Sequence, residues 1–529
     1  MKKVLAVALT LCMSVSTLAG CGGSSGDGQP AQTTQEDAAS GTEAAGTEAG
    51  GETAAADGEA AASGGMTYDF SDKEPYTIKM MMFGDADTEQ CEAVSAAVSE
   101  ITREKINADV ELTRVGFGSY VTQLNLALSA GEELDLFCPF SLSLITLANS
   151  GQIQPIGDLL NQYGQETVSA ISAEDWKCVT VDGEIYAVPC NKDKASSLGF
   201  IMRKDILDEI GVSVADIKNF DDFHDVLVKV KEAHPDMYPV VPDFASMWAY
   251  QNFDGLIDNF GCLDLSADPN STTVVNIFES DLYREWAERL YQWTQEGLVM
   301  PDASSNSEAR TSLVKSGKAF GGFSHLKAGF DEEQSVSSGY EMVSWEYEGA
   351  LSRTTSVYMG WCIGNNSGDP ERAMALLNLM YNDPEISNLF INGIEGTHYE
   401  VKENGKIGYP EGKDATTVGY SRLGWGWPNE QISSVWESDA DTVWTDLAEF
   451  NANATNSPAK GFIFDNISVM NEITACTNAF EKYHRAIIGG SLNPDEAIPQ
   501  FNEELKAAGI ERIMEEKQKQ LDAWLAENQ

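Results

Sequence analysis

Tyr76-Thr77-Ile78-Lys79-Met80-Met81-Met82-Phe83-Gly84-Asp85 is the stretch on which the fold turns. Its first eight residues are rich in strand formers, and Gly84-Asp85 stops the run. Cys91, Val94, Val98 and Ile101 then recur at the spacing of a helix with one apolar face. A second β-type run covers 108–115, a helix is predicted over 120–128, and Leu134-Asp135-Leu136-Phe137 reads as a third strand. Strand, helix, strand, helix, strand implies a parallel sheet with both faces covered. Ligands of such sheets sit beyond the carboxyl ends of the strands. That singles out Phe83, Gly84 and Asp85, and also Pro139–Ser141.

Upstream, Met1-Lys2-Lys3 and the apolar run to Leu18 have the layout of a secretory signal. The run falls short of the ~20 residues a helix needs to cross a bilayer. Leu18-Ala19-Gly20-Cys21 resembles a bacterial lipobox, which implies that residues 1–21 form a lipoprotein signal peptide and that Cys21 carries the lipid. Residues 22–66 are Gly, Ala, Ser, Thr, Glu and Gln with almost no large apolar side chain. They cannot bury enough surface to offset chain entropy, so a disordered tether reaching about 35–40 Å is expected.

A chain of 529 residues is expected to hold more than one domain. Its net charge of −49 repels nucleic acid and anionic headgroups, so no nucleic-acid partner is expected. With Cys12 in the signal and Cys21 acylated, Cys91, Cys138, Cys178, Cys190, Cys262, Cys362 and Cys476 remain. Their scattered, odd-numbered arrangement points to buried free thiols rather than a disulfide framework or a zinc site. G-x-S-x-G occurs only as Gly22-Gly23-Ser24-Ser25-Gly26 in the expected tether, not as an elbow between a strand and a helix, and no H-E-x-x-H, P-loop or G-x-G-x-x-G motif is present, so no catalytic residue and no cofactor is assigned. Asp264, Asp268 and Asn270 lack the EF-hand pattern, and no metal is expected.

Further along, Gly151–Leu160 precedes Trp176 and the hairpin Val181-Asp182-Gly183-Glu184-Ile185-Tyr186-Ala187-Val188-Pro189, whose Asp-Gly is a tight-turn dipeptide. Gly199–Leu207 reads as a strand-to-helix step, and Leu313–Phe320 follows. Together these segments resemble the family 1 extracellular solute-binding proteins of ABC importers. Asn392–Glu400, Ser457–Phe462 and the closing helices to Ala523-Trp524 are similar to the longer, aldouronate-transport-type lipoproteins of that family. Those helices are also legible unaided. Ile473, Cys476, Phe480, Tyr483 and Ile487 form one stripe, and Asn493-Pro494 caps the next helix.

The resemblance implies an α/β, two-lobe periplasmic-binding-protein (Venus flytrap) fold with crossing hinge strands and a helical C-terminal part. Crossings are expected at 191–201, at 353–359 and after Glu395. The first lobe is then 67–192 with 350–395, and the second 193–349 with 396–529. The expected cargo is a carbohydrate or oligosaccharide passed to ABC permease subunits, with a peptide or acidic sugar as the alternative. A sensory binding protein or a surface glycoside hydrolase are further rivals. A monomer is expected, anchored to the cell membrane and facing outward. For the site, aromatics suit the C–H face of a sugar ring. Trp248, Trp361, Trp425 and Trp427 are the candidates beside Phe83, each open to the alternative of core packing. Asp85, Asn191, Lys192 and Arg203 are candidate polar contacts, Arg203 alternatively a hinge ion pair. Glu395 is either a ligand contact or a loop residue bonding backbone amides.

Overall fold

Burial of the Tyr76–Phe83 run organises the first half of the chain. The computed structural model describes residues 66–241, 253–266, 268–306, 308–357, 359–415 and 417–528. Ten strands build its two main sheets: β1 (Tyr76–Phe83), β2 (Ala108–Val115), β3 (Leu136–Phe137), β4 (Val188–Pro189), β5 (Ser196–Arg203), β6 (Tyr238–Val240), β7 (Ala319–Leu326), β8 (Met342–Ser352), β9 (Gly360–Ile363) and β10 (Thr455–Asn456). The first sheet has the order β2-β1-β3-β9-β4 and the second β10-β8-β5-β7-β6.

β1 pairs in parallel with β2 from Tyr76↔Ala108 to Phe83↔Val115, and with β3 on its other side. β9 enters antiparallel to β3, so the sheet is mixed rather than wholly parallel. β2 is an edge strand, and the helix Thr88–Ile106 covers it with hydroxyls. The backbone N–H groups of Val110 and Leu112 donate to Ser99 Oγ (2.9 Å) and Ser95 Oγ (3.0 Å). Edge donors that would otherwise recruit another chain are thereby satisfied. Cys91, Val94 and Val98 of that helix bury into a core shared with Ile78, Met80 and Met82. The hairpin turn forms as its dipeptide predicts, with Asp182 and Gly183 at φ 50° and 81°.

In the second sheet β5 runs antiparallel to both β7 and β8, while β6 is parallel to β7. Its core takes in Trp345, and also the C-terminal helices Met470–Ile488, Pro494–Ala508 and Ile510–Asn528 through Cys476, Phe501, Ile513 and Leu521. Asn493 caps the second of these by accepting from Asp495 N–H at 3.0 Å. All seven remaining cysteines are buried and unpaired.

The chain passes between the sheets at 190–195 and at 353–359. A third passage runs through the helix Val443–Asn453 into β10, well beyond Glu395. The stretch after 395 therefore does not join the second lobe directly. Tyr420, Leu423 and Trp427 belong to the first core, because the loop around them packs on β1. Where the passages meet, the buried Asp175 carboxylate is ion-paired with Lys194 (3.0 Å) and Lys460 (2.8 Å). Burial alone would raise its pKa, but the two ammonium groups outweigh burial and hold it below the ordinary value.

Candidate ligand-binding cleft

The carboxyl ends of β1, β2 and β3 deliver Phe83, Phe117 and Phe140 to one place. Trp425 closes the group from the distant loop, with its ring 5.1 Å from Phe83 and stacked 6.2 Å from Phe117 at 19°. Phe83 is buried, whereas Phe117 is 43% exposed, so the cluster presents an aromatic face to solvent. Phe140 holds φ 57°, a left-handed conformation uncommon for a non-glycine residue. Gly426 lets the Trp425 loop lie flat on this face, since a Cβ there would meet Phe83 Cζ at 2.7 Å. Asp85 is exposed at the rim; a Cβ on Gly116, next to Phe117, would lie 2.9 Å from its carboxylate.

Opposite stands the carboxyl end of β7. Lys327, Ala328 and Gly329, then Glu333 and Val336 of the helix Phe330–Ser338, line a cavity of about 380 Å³ with Leu423, Trp425, Glu430 and Trp444. Both sheets contribute walls, which fits a site that two bodies close. A larger hollow of about 470 Å³ runs along the helix Thr88–Ile106 and β2, but it belongs to the first sheet alone.

Charges in the cleft are nearly balanced. Lys327 pairs with Glu333 at 3.2 Å and Arg422 with Asp439 at 3.0 Å. Glu430 is 9% exposed, and among the described residues its carboxylate has no hydrogen-bond donor. Burial pushes it up to about 7; Asp193 adds to the shift, while Lys327, Lys192 and Arg422 oppose it. Burial works against the Lys327 ammonium, but Glu333, Asp193 and Glu430 prevail and its pKa ends above the usual lysine value.

Of the residues singled out from sequence, the structure brings together Phe83, Asp85 and Trp425. Asn191 and Lys192 lie at the first passage. Asn191 donates to Asn429 Oδ1 at 3.0 Å, and Lys192 donates to the carbonyl of Asp193 at 2.9 Å. Trp361 and Trp427 are instead core residues, 0% and 1% exposed and stacked 5.2 Å apart. Arg203 lies at the far end of the second sheet, because β5 runs opposite to β7 and carries its carboxyl end away from the cleft. There it grips Asp205 through two bonds, 3.0 and 2.5 Å, and stacks 3.6 Å from the Tyr340 ring centre. Glu395 is exposed in a turn on the first lobe, held near the helix Thr88–Ile106 by His398, whose Nε2 meets Gln90 Oε1 at 2.9 Å; it does not line the cavity. Trp248 and Cys21 lie outside the described residues.

Phe117, Lys327, Glu430 and Trp444 escaped the sequence reading. Phe117 had a signal, because Gly116-Phe117-Gly118 follows β2 as Gly84 follows β1. The other three are assembled by tertiary contact and carry no local mark.

A model of bacterial extracellular solute-binding proteins matches residues 85–385, and one for a domain of unknown function matches 458–526. A carbohydrate ABC transporter substrate-binding protein of Streptococcus pneumoniae serotype 4 is 28% identical over 461 residues, which is 85% of this chain and 91% of that protein. Lipoprotein LipO of Bacillus subtilis is 24% identical over 319 residues, 56% of this chain and 62% of its own. Among solved structures, the N-glycan transport solute-binding protein NgtS of Streptococcus pneumoniae superposes with a TM-score of 0.77 at 27% identity, over 86% of this chain and all of that one. Against NgtS in complex with Man5GlcNAc the score is 0.67 over the same shares. Alginate-binding protein AlgQ2, 17% identical with a TM-score of 0.57 over 85% of this chain and 98% of its own, shares the fold. With more than half its length matched by the family model, this chain belongs to the bacterial extracellular solute-binding proteins.

Proposed function

We propose that this chain is the lipid-anchored binding component of an ABC importer and that its cargo is a neutral oligosaccharide, held without chemical change. The observation that carries this is the exposed aromatic face at the ends of β1, β2 and β3, whose Trp425 lines a cavity together with Lys327 and Glu333. An apolar sugar face stacks on Phe117 and Trp425, while paired charges opposite offer donors and acceptors to its hydroxyls. The lining sets Lys327 and Arg422 against Glu333, Glu430 and Asp439, a balance that disfavours an acidic sugar. Micromolar binding needs about −8 kcal/mol, within reach of two stacked rings and several hydrogen bonds after ordering costs.

Closure would bring 67–192 with 350–439 onto 193–349 with 440–529, and a ligand touching both sides favours the closed form. The proposed assembly is a monomer, tethered outside the membrane by lipid on Cys21 and docking on a permease. Loss of fatty-acid labelling in Cys21→Ser tests the anchor.

A thermal-shift screen of the chain from Gly22 onward tests the cargo. Neutral oligosaccharides, Man1GlcNAc and Man5GlcNAc among them, are expected to raise the melting temperature, and uronate oligosaccharides and peptides are not. A panel in which only peptides act removes the carbohydrate reading. Shortened sugar recovered afterwards removes the non-catalytic one.

A further inference from the structure

The second sheet has two faces at the carboxyl end of β7, and the cleft described above uses one of them. Leu326 and Ser197 point toward the helix Phe330–Ser338. Their neighbours His325 and Ser196 line a separate cavity of about 230 Å³ on the other face, as strand alternation requires. Arg353, Thr355 and Ser356 of the second passage and Asn259 complete its polar lining.

Its chemistry is that of a neutral, hydroxyl-bearing guest. Burial, reinforced by Arg353, pushes the His325 imidazole down to about 4, so at neutral pH it offers one donor and one acceptor. Among the described residues its ring nitrogens have no partner. Arg353 spends Nε on the carbonyl of Phe253 (2.6 Å) and Nη1 on Ser196 and Leu351 (3.4 Å each), and Nη2 makes no bond to a described residue. The buried Asp254 carboxylate behind the wall balances the guanidinium charge. The volume is below the about 300–1,000 Å³ of drug-sized sites, which suits one ring.

The wall carrying Asn259 is strained. Leu256, Ile257 and Asn259 all hold positive φ, at 46°, 85° and 67°. Such conformations are costly for residues other than glycine and persist only where the surroundings hold them. Lys517 of the last helix, whose side chain is 0% exposed, braces this loop. Its ammonium donates to Asp258 (2.5 Å) and to the carbonyls of Gly261 (3.0 Å) and Gly255 (3.3 Å). The opposite wall is tied to the same C-terminal region. Thr354 donates to the carbonyl of Ala459 at 3.0 Å and accepts from Gly461 N–H at 2.6 Å.

We infer that this cavity is a second subsite that receives one neutral sugar unit of the solute, and that the C-terminal region of unknown function exists to shape it, with Lys517 as the positioning residue. The inference rests on the oligosaccharide reading above. Calorimetric titration of the chain from Gly22 onward tests it, using Man5GlcNAc and the panel sugar that gives the largest thermal shift. Ser356→Ala and Asn259→Ala are expected to raise Kd about tenfold, the loss of one or two hydrogen bonds, and Ser356→Ala to leave the unliganded melting temperature unchanged. Lys517→Met is expected to raise Kd similarly, and Lys517→Met with Asn259→Ala to cost no more affinity than either alone, because both act through one loop. Additive losses of affinity would make Lys517 a merely structural residue and overturn its role. Wild-type affinity in Ser356→Ala and Asn259→Ala overturns the subsite while leaving the oligosaccharide reading intact. A wild-type chain that binds no sugar overturns both.

Discussion

Trp425 and Trp427 stand two residues apart and have different fates. The backbone N–H of Trp427 donates to the carbonyl of Gly424 at 2.9 Å, so the segment turns and sends the two indoles apart. Trp427 enters the first core between Trp361 (5.2 Å) and Phe390 (4.9 Å), where the Trp361 N–H reaches the carbonyl of Gly426 at 2.9 Å. Trp425 stays half-buried over Phe83, with Phe117 as its exposed neighbour. One cluster is closed by rings on every side, and the other lacks its last ring. The contrast separates aromatics that hold the lobe together from aromatics that leave a ring face open to solvent.

The largest effect tests the closed cluster. Trp427→Ala or Trp361→Ala is expected to cost about 3–5 kcal/mol of stability, seen as a lower midpoint in guanidinium denaturation at unchanged slope. Molecules that remain folded should bind sugar nearly as the wild type does. If binding vanished while the midpoint held, the roles assigned to the two clusters would be reversed.

Charge divides the two regions as well, since the core cluster has none and the cleft holds Glu430. Its pKa is about 7 in the folded chain against an ordinary 4.5, so the unfolded chain releases this proton first as pH rises. Stability from this group is therefore whole below about pH 4.5 and falls through the window to about 7, by at most about 3 kcal/mol. Glu430→Gln is expected to match the wild type near pH 4.5 and to exceed it at pH 8. Lys327, Lys192 and Arg422 favour the ionised carboxylate and Asp193 opposes it, so melting temperatures with and without 0.5 M salt sharpen the assignment. Parallel pH curves for the two proteins would mean that Glu430 ionises as a surface carboxylate does.

Legibility followed the range of the forces involved. β1 and β2 begin and end where their β-type runs do, because Gly84-Asp85 and Gly116 end those runs locally. Asp182-Gly183 and Asn493-Pro494 were equally readable, since a turn and a cap are decided within four residues. The fate of Trp361 was not, because its partners Trp427 and Gly426 lie more than 60 residues away. Glycine flanks Trp361 and Trp425 alike, so the local pattern that suggests ligand access was the same for both. Arg203 failed for a topological reason: strand direction relative to the cleft is set by pairing with β7, which no local pattern encodes. Lys327 and Glu430 are 103 positions apart, and nothing short of the folded chain sets them across one cavity.

The smallest effect probes the open cluster. Phe117 is 43% exposed, so Phe117→Ala gives up little packing and should shift stability by under about 1 kcal/mol. Its ring nevertheless offers the face nearest solvent, with Trp425 stacked behind it at 19°. Losing one stacked ring is expected to weaken oligosaccharide binding about five- to tenfold, at about 1 kcal/mol per aromatic contact. Trp425→Ala should do the same with a somewhat larger stability loss, since that ring also covers Phe83. Isothermal titration beside a thermal melt separates the two readouts. If Phe117→Ala left Kd untouched, the exposed ring would be an ordinary surface apolar residue, and the open cluster would differ from the closed one only in being unfinished.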